Sequence, residues 1–355
     1  MRRIRRLLAL CLLPAAALAC SEGESLPSGP VGPAPEYDFT PLTDSIQGVL
    51  DTLPRTDRAA LMLIQRGHVI YERGFGGLSV DDTLPIASSS KLLTAATVLA
   101  LVDRGVLGLD VPIERYLETM QDGFWRDPRT HEITPRQLLS LTAGFGIQHP
   151  CIYRPRASLQ ECAVAIGTHG LVGDPGTVMS YGQSTFHVAG AVVEDATERS
   201  WAENLQRFLT DPLDMPQTRY RGDENPQLGD GAVSTVREFS HLMRMIHDGG
   251  VHRGRRVLSA GLVREMKENQ TDGLPIAFTP RAPGMRYGLG IWREEVSESG
   301  EPVILSAPGS LGFWPWIDLE RDLVGVLAVP PHLSISGSIV PIVLSTVEEI
   351  VPPNR

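Results

Sequence analysis

The run from Leu92 to Val102 constrains the fold more than any other stretch of this chain. Its sequence, LLTAATVLALV, is apolar on nearly every side of a helix, and Gly105 provides a suitable stop after it. A helix without a polar face is buried, so other elements have to surround it. The chain has 355 residues, which is enough for one large domain or two small ones. The sequence therefore predicts a sizeable core built around this helix.

Three serines and a lysine, SSSK, stand directly before that run. If the helix begins near Ser88, then Ser88 and Lys91 lie on one face, and free N–H groups at the helix start stabilise negative charge that develops there. A lysine that loses hydration releases its proton more readily, so Lys91 can serve as base for a Ser88 nucleophile. The alternative is that the serines only start the helix. In the catalytic interpretation, Ser89 is a helix cap and Ser90 a small packing residue.

A second candidate group lies in the segment GDPGTVMSYGQST, residues 173–185. Tyr181 and Gln183 flank a glycine there, just before a predicted helix over 184–197. A tyrosine beside a lysine can act as general acid or base, and a side-chain amide can orient the lysine and a substrate carbonyl. Taken alone, Tyr181 is more consistent with a core aromatic whose hydroxyl is satisfied.

The third candidate group is the segment ILSAPGSLGFWPW, residues 304–316. A strand that meets a glycine turn can present a backbone N–H to a cleft, although an ordinary hairpin has the same pattern. The aromatic part, GFWPW, either lines the cleft or packs against the sheet, and the sequence leaves both possibilities open.

The order of elements predicts an α/β (α+β) fold. Residues 42–53 have helical spacing, and residues 59–76 read as two strands around a turn at Arg66-Gly67. Short β-rich segments and a closing helix end the chain. We therefore expect an antiparallel sheet formed by both chain ends and flanked by helices, with an inserted, mostly helical region. The sheet parts are expected at about 41–90 and 285–352, and the helical region at about 91–284.

The N-terminus predicts export. Residues 1–19 combine a basic start with an apolar and then small-residue stretch, as in a secretory signal peptide. The end of this stretch, AALAC, resembles the lipobox of bacterial lipoproteins, which implies cleavage before Cys20 and a lipid on its sulfur. The alternative is ordinary cleavage beside an incidental cysteine. Residues 20–40 would then be the lipidated cysteine and a flexible Gly/Pro/Ser tether, which predicts a membrane-anchored protein of the periplasm or cell surface.

The cysteines, histidines and net charge indicate which bonds, cofactors and partners to expect. Disulfides persist outside the cytosol, so we expect Cys151 and Cys162 to form one. The histidines lack an H-E-x-x-H pattern, which predicts no metal or other cofactor. His241, His247 and His252 are interpreted as surface or interface residues, and His187 as a packed helix residue. A net charge of −10 without a basic run after the leader predicts no nucleic-acid partner.

Together, the motifs S-x-x-K at Ser88, Y-x-Q at Tyr181 and a glycine strand end at Gly309 resemble the serine β-lactamase and penicillin-binding-protein superfamily. The passages ITPRQLLSLTAGF, DPLDM and GDGAVSTVREFSHLMRMIHDGG are similar to that superfamily as well. The nearest likeness is to class C β-lactamases, family VIII esterases and D-amino-acid peptidases. It spans roughly residues 42–350 and implies a single β-lactamase/transpeptidase-like domain over about 41–352.

The resemblance implies a role for each motif residue. Ser88 would be the nucleophile, Lys91 its base partner and Tyr181 the shared general base and acid. Gln183 would contact a substrate amide in place of the usual asparagine. The backbone N–H groups of Ser88 and Ser310 would form the oxyanion hole, in which each donor is worth about 3 kcal/mol.

The chain departs from the superfamily at its third motif. Where Lys-Thr-Gly or His-x-Gly is usual, this sequence has Ala307-Pro308-Gly309. Gly309 still allows close approach to substrate, but the loss of a charged hydrogen bond costs about 1.5–3 kcal/mol, or roughly ten- to a hundredfold in rate. Ser306 is near enough in sequence to offer a hydroxyl instead. The residues predicted to bind substrate are Gln183, Ala307, Gly309 and Ser310.

The sequence therefore predicts a serine hydrolase that forms an acyl-enzyme with small-molecule carboxylic esters or amides and has no strict need for a substrate carboxylate. One alternative is a β-lactamase or D-alanyl carboxypeptidase that acts on cell-wall-type substrates. An alternative from another class is a non-catalytic binding or sensor protein that retains the fold.

Overall fold

Both ends of the chain contribute strands to one antiparallel sheet. The computed structural model describes residues 32–52, 57–121, 125–222, 224–331 and 333–354. The predicted leader, Cys20 and the first part of the tether lie outside these residues. The predicted fold class is confirmed: the sheet joins strands that follow the tether to strands from the end of the chain, and most helices come between them.

The main sheet has seven strands in the order β10-β11-β12-β13-β14-β1-β2. The sheet contains the hairpin that the sequence predicts at Arg66-Gly67. Both residues have positive φ, at 48° and 85°, which is the geometry of a tight hairpin turn. Seven shorter strands pair in three small sheets. The strands are β1 Ala59–Gln65, β2 His68–Phe75, β3 Leu84–Pro85, β4 Met179–Ser180, β5 Arg219–Tyr220, β6 Ala232–Ser234, β7 Val251–His252, β8 Arg255–Arg256, β9 Ile276–Phe278, β10 Arg286–Tyr287, β11 Trp292–Val296, β12 Pro302–Ser306, β13 Phe313–Asp318 and β14 Leu323–Ala328.

The described helices cover both faces of the main sheet or form the inserted region. A strand whose two faces are both covered is apolar at consecutive positions, which accounts for the sequence AALMLI in β1. The helices are α1 Thr40–Leu50, α2 Ser90–Asp103, α3 Glu118–Gln121, α4 Pro135–Leu139, α5 Leu159–His169, α6 Ser184–Thr197, α7 Trp201–Leu205, α8 Val236–His247, α9 Ala260–Lys267 and α10 Leu333–Ile350.

Alternate residues of β1 belong to two different cores. Leu61 and Leu63 pack with α1 and α10 on the outer face of the sheet. Met62 and Ile64 pack on the inner face, which α8 covers. The inner core continues into the helical region, so the sheet and the inserted helices share one hydrophobic interior.

Helix α2 occupies the middle of that interior, as its sequence predicts. Every residue from Ser90 to Leu101 is buried, and α6, α7 and the turn that follows α7 pack around it. The start of α2 is therefore a rigid position for a functional group. Within the described ranges, none of the helices has the length and apolar character needed to cross a membrane.

Candidate active site

The turn that carries Ser88 is strained. Residues Ala87–Ser89 form one 3-10 turn directly before α2, and Ala87 has a φ of 44°. Residues other than glycine seldom adopt this left-handed conformation, and such strain concentrates at functional sites. Ser88 is half-buried, whereas Ser89 and Ser90 are fully buried. Of the three serines, Ser88 is therefore the one whose side chain a substrate can reach.

The other two hydroxyls are used in packing the turn. Ser90 Oγ donates to the Ala87 carbonyl oxygen at 2.6 Å and accepts a bond from the Ala232 backbone N–H at 3.0 Å. Ser89 makes no side-chain cap, so the prediction that it caps the helix is wrong. Its hydroxyl donates instead to the carbonyl oxygen of Ala307, because the end of β12 passes directly beside the turn.

Lys91 lies one turn after Ser88 and points back toward it. The distance from Lys91 Nζ to Ser88 Oγ is 3.4 Å, and the same nitrogen donates a 2.8 Å hydrogen bond to the carbonyl oxygen of Gly229. Lys91 is only 2% exposed. The i, i+3 spacing therefore places an amine within reach of the hydroxyl in a nearly dry environment, where charged interactions are stronger than in water.

Tyr181 comes to the same place from a distant loop. Its ring centroid is 4.6 Å from Lys91 Nζ, and the ring stacks on Trp292 at 5.2 Å. Among the described residues, the Tyr181 hydroxyl makes no hydrogen bond to Ser88 or to Lys91. Catalytic hydrogen bonds often tighten only when substrate is bound. The structure thus brings the phenol ring to the amine, and the transfer of a proton requires the Tyr181 oxygen to approach or a water to bridge.

Gln183 contacts a carboxylate that the sequence analysis did not single out. Gln183 Nε2 donates a 2.6 Å hydrogen bond to Asp230 Oδ2. Burial raises the pKa of Asp230, against the opposing effects of the Lys91 charge and of this hydrogen bond. Asp230 lies in the passage GDGAVST, where the resemblance was noted but no residue was assigned a role. Its sequence signal is an acidic residue between two glycines.

The end of β12 packs against the nucleophile turn, whereas the sequence predicts that Gly309 allows close approach to the substrate. A Cβ atom on Gly309 would lie 2.0 Å from the backbone oxygen of Ile86, so a side chain has no room there. The Gly309 N–H donates to the Phe313 carbonyl oxygen at 2.7 Å, and the next residue, Ser310, is exposed. The two segments that would supply the oxyanion donors are therefore in contact, and Ala307, with 4% exposure, contributes only a methyl group.

Ser306 does not compensate for the missing cation. Its hydroxyl is hydrogen-bonded to Glu294, which also forms an ion pair of 2.5 Å with Arg281. The Arg281 guanidinium lies over the ring of Trp314, 4.8 Å from its centroid. Trp314 belongs to the outer core. The Ser306 hydroxyl is already hydrogen-bonded to Glu294 and therefore does not replace the cation.

The aromatic residues after Gly312 pack against the sheet. Phe313, Trp314 and Trp316 are all buried, Phe313 in the inner core and the two tryptophans in the outer one. Strand alternation sends them to opposite faces, which decides between the two interpretations that the sequence leaves open. Leu311, just before this segment, is 37% exposed.

The four histidines singled out from the sequence make no hydrogen bond to Ser88 or Lys91 in the described chain. His187 is fully buried in α6, and burial lowers its pKa to about 3, so it is neutral. The interpretation of His252 as a surface residue is wrong, because this side chain is only 6% exposed. His241 packs beside it, with the two ring centroids 5.1 Å apart. His247 is partly buried between Asp248 and Asp322. No group of three His, Cys, Asp or Glu that could hold a metal occurs among the residues that the structure covers.

A disulfide joins Cys151 to Cys162, with their Cα atoms 5.4 Å apart. It ties a short 3-10 segment, Pro150–Tyr153, to α5. Tyr153, at the end of this segment, is 43% exposed and accepts a hydrogen bond from Gln148. Burial raises the pKa of Tyr153, and the nearby charge of Asp230 adds to the effect, which places Tyr153 at the edge of the candidate site.

Comparison with known proteins identifies the family of the chain. A family profile described as Beta-lactamase matches residues 47–329, which include all of the motif residues above. The chain belongs to the Beta-lactamase family.

Individual proteins are similar to the chain at low identity. A 6-aminohexanoate-dimer hydrolase from Paenarthrobacter ureafaciens is 25% identical over 332 residues, which cover 88% of this chain and 81% of that protein. A Bacteroides dorei DSM 17855 protein of known structure, provisionally called a beta-lactamase, is 28% identical with a TM-score of 0.77, over 88% of this chain and 99% of that one. Protein flp from Staphylococcus aureus (strain MRSA252) is 22% identical, over 52% of this chain and 40% of its own length. The match thus spans less than half of protein flp.

Proposed function

We propose that this protein is a serine hydrolase that cleaves carboxylic esters or amides through an acyl-enzyme at Ser88. The observation that carries the proposal is the meeting of three elements at one accessible hydroxyl. Lys91 Nζ lies 3.4 Å from Ser88 Oγ, the Tyr181 ring lies against Lys91, and the Gly309 backbone packs against the turn. Membership of the Beta-lactamase family and similarity to a named hydrolase support the same reaction class.

The proposed reaction has two steps. Ser88 Oγ attacks the substrate carbonyl carbon, its proton passes to the Lys91–Tyr181 pair, and the carbonyl oxygen takes negative charge beside the N–H groups of Ser88 and Ser310. The pair then returns the proton to the leaving alcohol or amine as the bond to it breaks. In the second step, water attacks the acyl-enzyme, and Ser88 regains its proton as the acid departs.

Charge in the cleft argues for substrates without a required carboxylate. Ala307 offers no cation, and the Lys91 ammonium is already balanced in part by the neighbouring Asp230. A substrate carboxylate would therefore lose its hydration without gaining an ion pair, which is costly.

Exposed apolar side chains also favour such substrates. Four of the eight large apolar side chains that are exposed in the described chain belong to segments beside the site. The carbonyl oxygens of Ile147 and Phe278 accept hydrogen bonds from the backbone of Gln183 and Tyr181, and Leu311 follows Ser310. The fourth is Tyr153. Exposed apolar surface around a reaction centre is typical of a site for apolar ligands.

The proposal is tested with three reagents on the purified protein without its leader. These are a short-chain nitrophenyl ester, a chromogenic cephalosporin and a fluorophosphonate tag. We expect ester turnover and tagging, both abolished in Ser88→Ala. Turnover of the cephalosporin at a rate similar to that of the ester would contradict the substrate class.

A second candidate function is supported by the Tyr181 hydroxyl, which makes no hydrogen bond to Ser88 or Lys91 in the described chain. A protein whose proton relay is not assembled would bind or sense acyl compounds without turning them over. Tagging of Ser88 without turnover of either substrate would favour this function.

Anchoring at a membrane is also proposed. It is supported by the AALAC sequence at Cys20 and by the Gly/Pro/Ser tether that follows it. The intact mass of protein extracted from membranes tests it: a mass that includes a lipid on Cys20 is expected, and an unmodified N-terminus would contradict it.

A further inference from the structure

The segment that carries Asp230 is fixed to the nucleophile helix on both sides of that residue. The Leu228 carbonyl oxygen accepts a 2.8 Å hydrogen bond from Thr94, and the Gly229 carbonyl oxygen accepts one of 2.8 Å from Lys91. The Ala232 N–H donates to Ser90 Oγ at 3.0 Å. The backbone of Asp230 is therefore held in register with Ser88 by three residues of α2.

Gln183 packs on this segment and bonds to its carboxylate. A Cβ atom on Gly229 would lie 3.0 Å from Gln183 Cγ, so the two residues are in close contact. The hydrogen bond from Gln183 Nε2 to Asp230 Oδ2 is 2.6 Å long. An ionised carboxylate only accepts hydrogen bonds, so it selects the NH2 end of the amide and fixes which way Gln183 faces.

Two acceptor atoms in this contact have no partner. Gln183 Oε1 and Asp230 Oδ1 are buried, and neither receives a hydrogen bond within the described part of the chain. The charge of Lys91 acts on Asp230 electrostatically, but Lys91 makes no hydrogen bond to either atom in the described chain. Buried acceptors without donors are costly, and at functional sites they mark where a ligand or water supplies the donor.

We infer that Asp230 is a positioning residue of this site: it holds Gln183 with the amide oxygen available to an N–H donor of the substrate and balances the charge of Lys91. The inference rests on the proposed function and refines its substrate class, because an acceptor at this place favours esters and amides that carry an N–H group near the scissile carbonyl. N-acylamino esters are the simplest probe of that class.

The charge of Asp230 gives the inference a pH signature. The titratable groups that face Asp230 are Lys91 from α2, Tyr153 from the disulfide-bonded segment and Tyr220 from β5. Burial raises the pKa of both tyrosines, so neither phenol changes charge on the acid side of neutrality, where a carboxylate does. Burial raises the pKa of Asp230, and protonation of the carboxylate as the pH falls weakens its hold on Gln183.

The test compares Asp230→Ala, Asp230→Asn, Gln183→Ala and the double variant Asp230→Ala/Gln183→Ala on an N-acetylamino nitrophenyl ester. Asp230→Ala removes the acceptor, so kcat/KM should fall roughly tenfold. Asp230→Asn keeps an acceptor oxygen but cannot titrate, so it should retain more activity and lose the acid limb of the pH–rate curve. The kcat/KM of the double variant should be no lower than that of the less active single variant, because Asp230 acts through Gln183.

The matched control is Asp44→Asn, an exposed aspartate on α1, which should change neither kcat/KM nor the acid limb. Unfolding midpoints of all variants show whether a loss of activity reflects loss of fold. Additive effects in the double variant, or an unchanged acid limb in Asp230→Asn, would overturn the inference.

Failure of this inference is distinct from failure of the proposed function. If turnover of the unmodified chain depends on Ser88 and the Asp230 variants behave like the control, only the role of Asp230 is wrong. If turnover survives in Ser88→Ala, the proposed function itself is wrong.

Discussion

Ser89 Oγ donates a 2.6 Å hydrogen bond to the carbonyl oxygen of Ala307. This bond joins the nucleophile turn to the end of β12, and both groups are buried. The two N–H groups proposed for the oxyanion hole belong to Ser88 and Ser310, which lie on either side of this connection. The distance between the two donors therefore depends on a serine that takes no part in the chemistry.

Ser89→Ala is expected to destabilise the protein by about 1–3 kcal/mol, because it leaves the buried Ala307 carbonyl oxygen without a donor. Urea unfolding measures this change. Ester turnover should fall with it, since the two halves of the oxyanion hole are no longer tied. Ser345→Ala, on the exposed side of α10, is the control. Equal unfolding midpoints for the two variants would contradict the role of Ser89.

Gly309→Ala is expected to reduce ester kcat/KM at least tenfold. The added Cβ would lie 2.0 Å from the Ile86 backbone oxygen, so strand and turn have to separate, and misplacement of about 1 Å at a reaction centre can cost a hundredfold. Gly48→Ala, in α1, is the matched control, because its Cβ would meet nothing within 4 Å. If both variants keep the activity of the original chain, the close approach at Gly309 has no catalytic importance.

Ala307→Lys is expected to shift preference toward substrates that carry a carboxylate. The introduced cation would supply the charged hydrogen bond that this chain lacks, so the ratio of cephalosporin to ester kcat/KM should rise roughly ten- to a hundredfold. Ala307→Met gives a side chain of similar length without charge. A rise of the same size in the methionine variant would show that bulk, not charge, decides the preference.

His247 is expected to stabilise the fold in a pH-dependent way. Burial alone would lower the pKa of His247, but its contacts with Asp248, at 2.7 Å, and Asp322, at 3.0 Å, outweigh burial and raise it to about 9. Because the folded-state pKa lies above the unfolded value of about 6.5, the contribution is fully present below that pH and is lost as pH rises through about 9.

The His247→Gln variant tests this contribution. The difference in unfolding free energy between the original chain and the variant should be about 2–3 kcal/mol near pH 6 and should shrink toward zero near pH 10. Denaturant unfolding at several pH values measures it. A difference that is constant across this range would mean that the contacts of His247 are not ionic.

Local pattern was enough to predict the main elements of the fold. The hairpin at Arg66-Gly67 and the helix over 184–197 follow from alternation and periodicity within short segments. Where a segment could pack against either of two surfaces, the sequence did not predict which one its side chains contact. The residues of GFWPW could face a cleft or a helix layer, and α1 and α10, from opposite ends of the chain, decide the matter.

A contact in the site could be predicted from the sequence only where both residues belong to one short motif. The spacing of Ser88 and Lys91 fixes their proximity, because both belong to one helical turn. The role of Ser89 depends on Ala307, 218 residues further along the chain, and the role of Asp230 depends on Gln183 and Lys91. No local pattern in the sequence contains these contacts, so only the folded structure shows them.

The proposed function requires that Ser88, and neither Ser89 nor Ser90, is the nucleophile. The most direct measurement is kcat/KM for a nitrophenyl ester in Ser88→Ala beside Ser90→Ala, with the unfolding midpoint of each variant. We expect Ser88→Ala to fold normally and to lose at least a thousandfold in turnover, while Ser90→Ala loses stability and keeps turnover in the fraction that remains folded. Ester turnover in Ser88→Ala within tenfold of the original chain would contradict it.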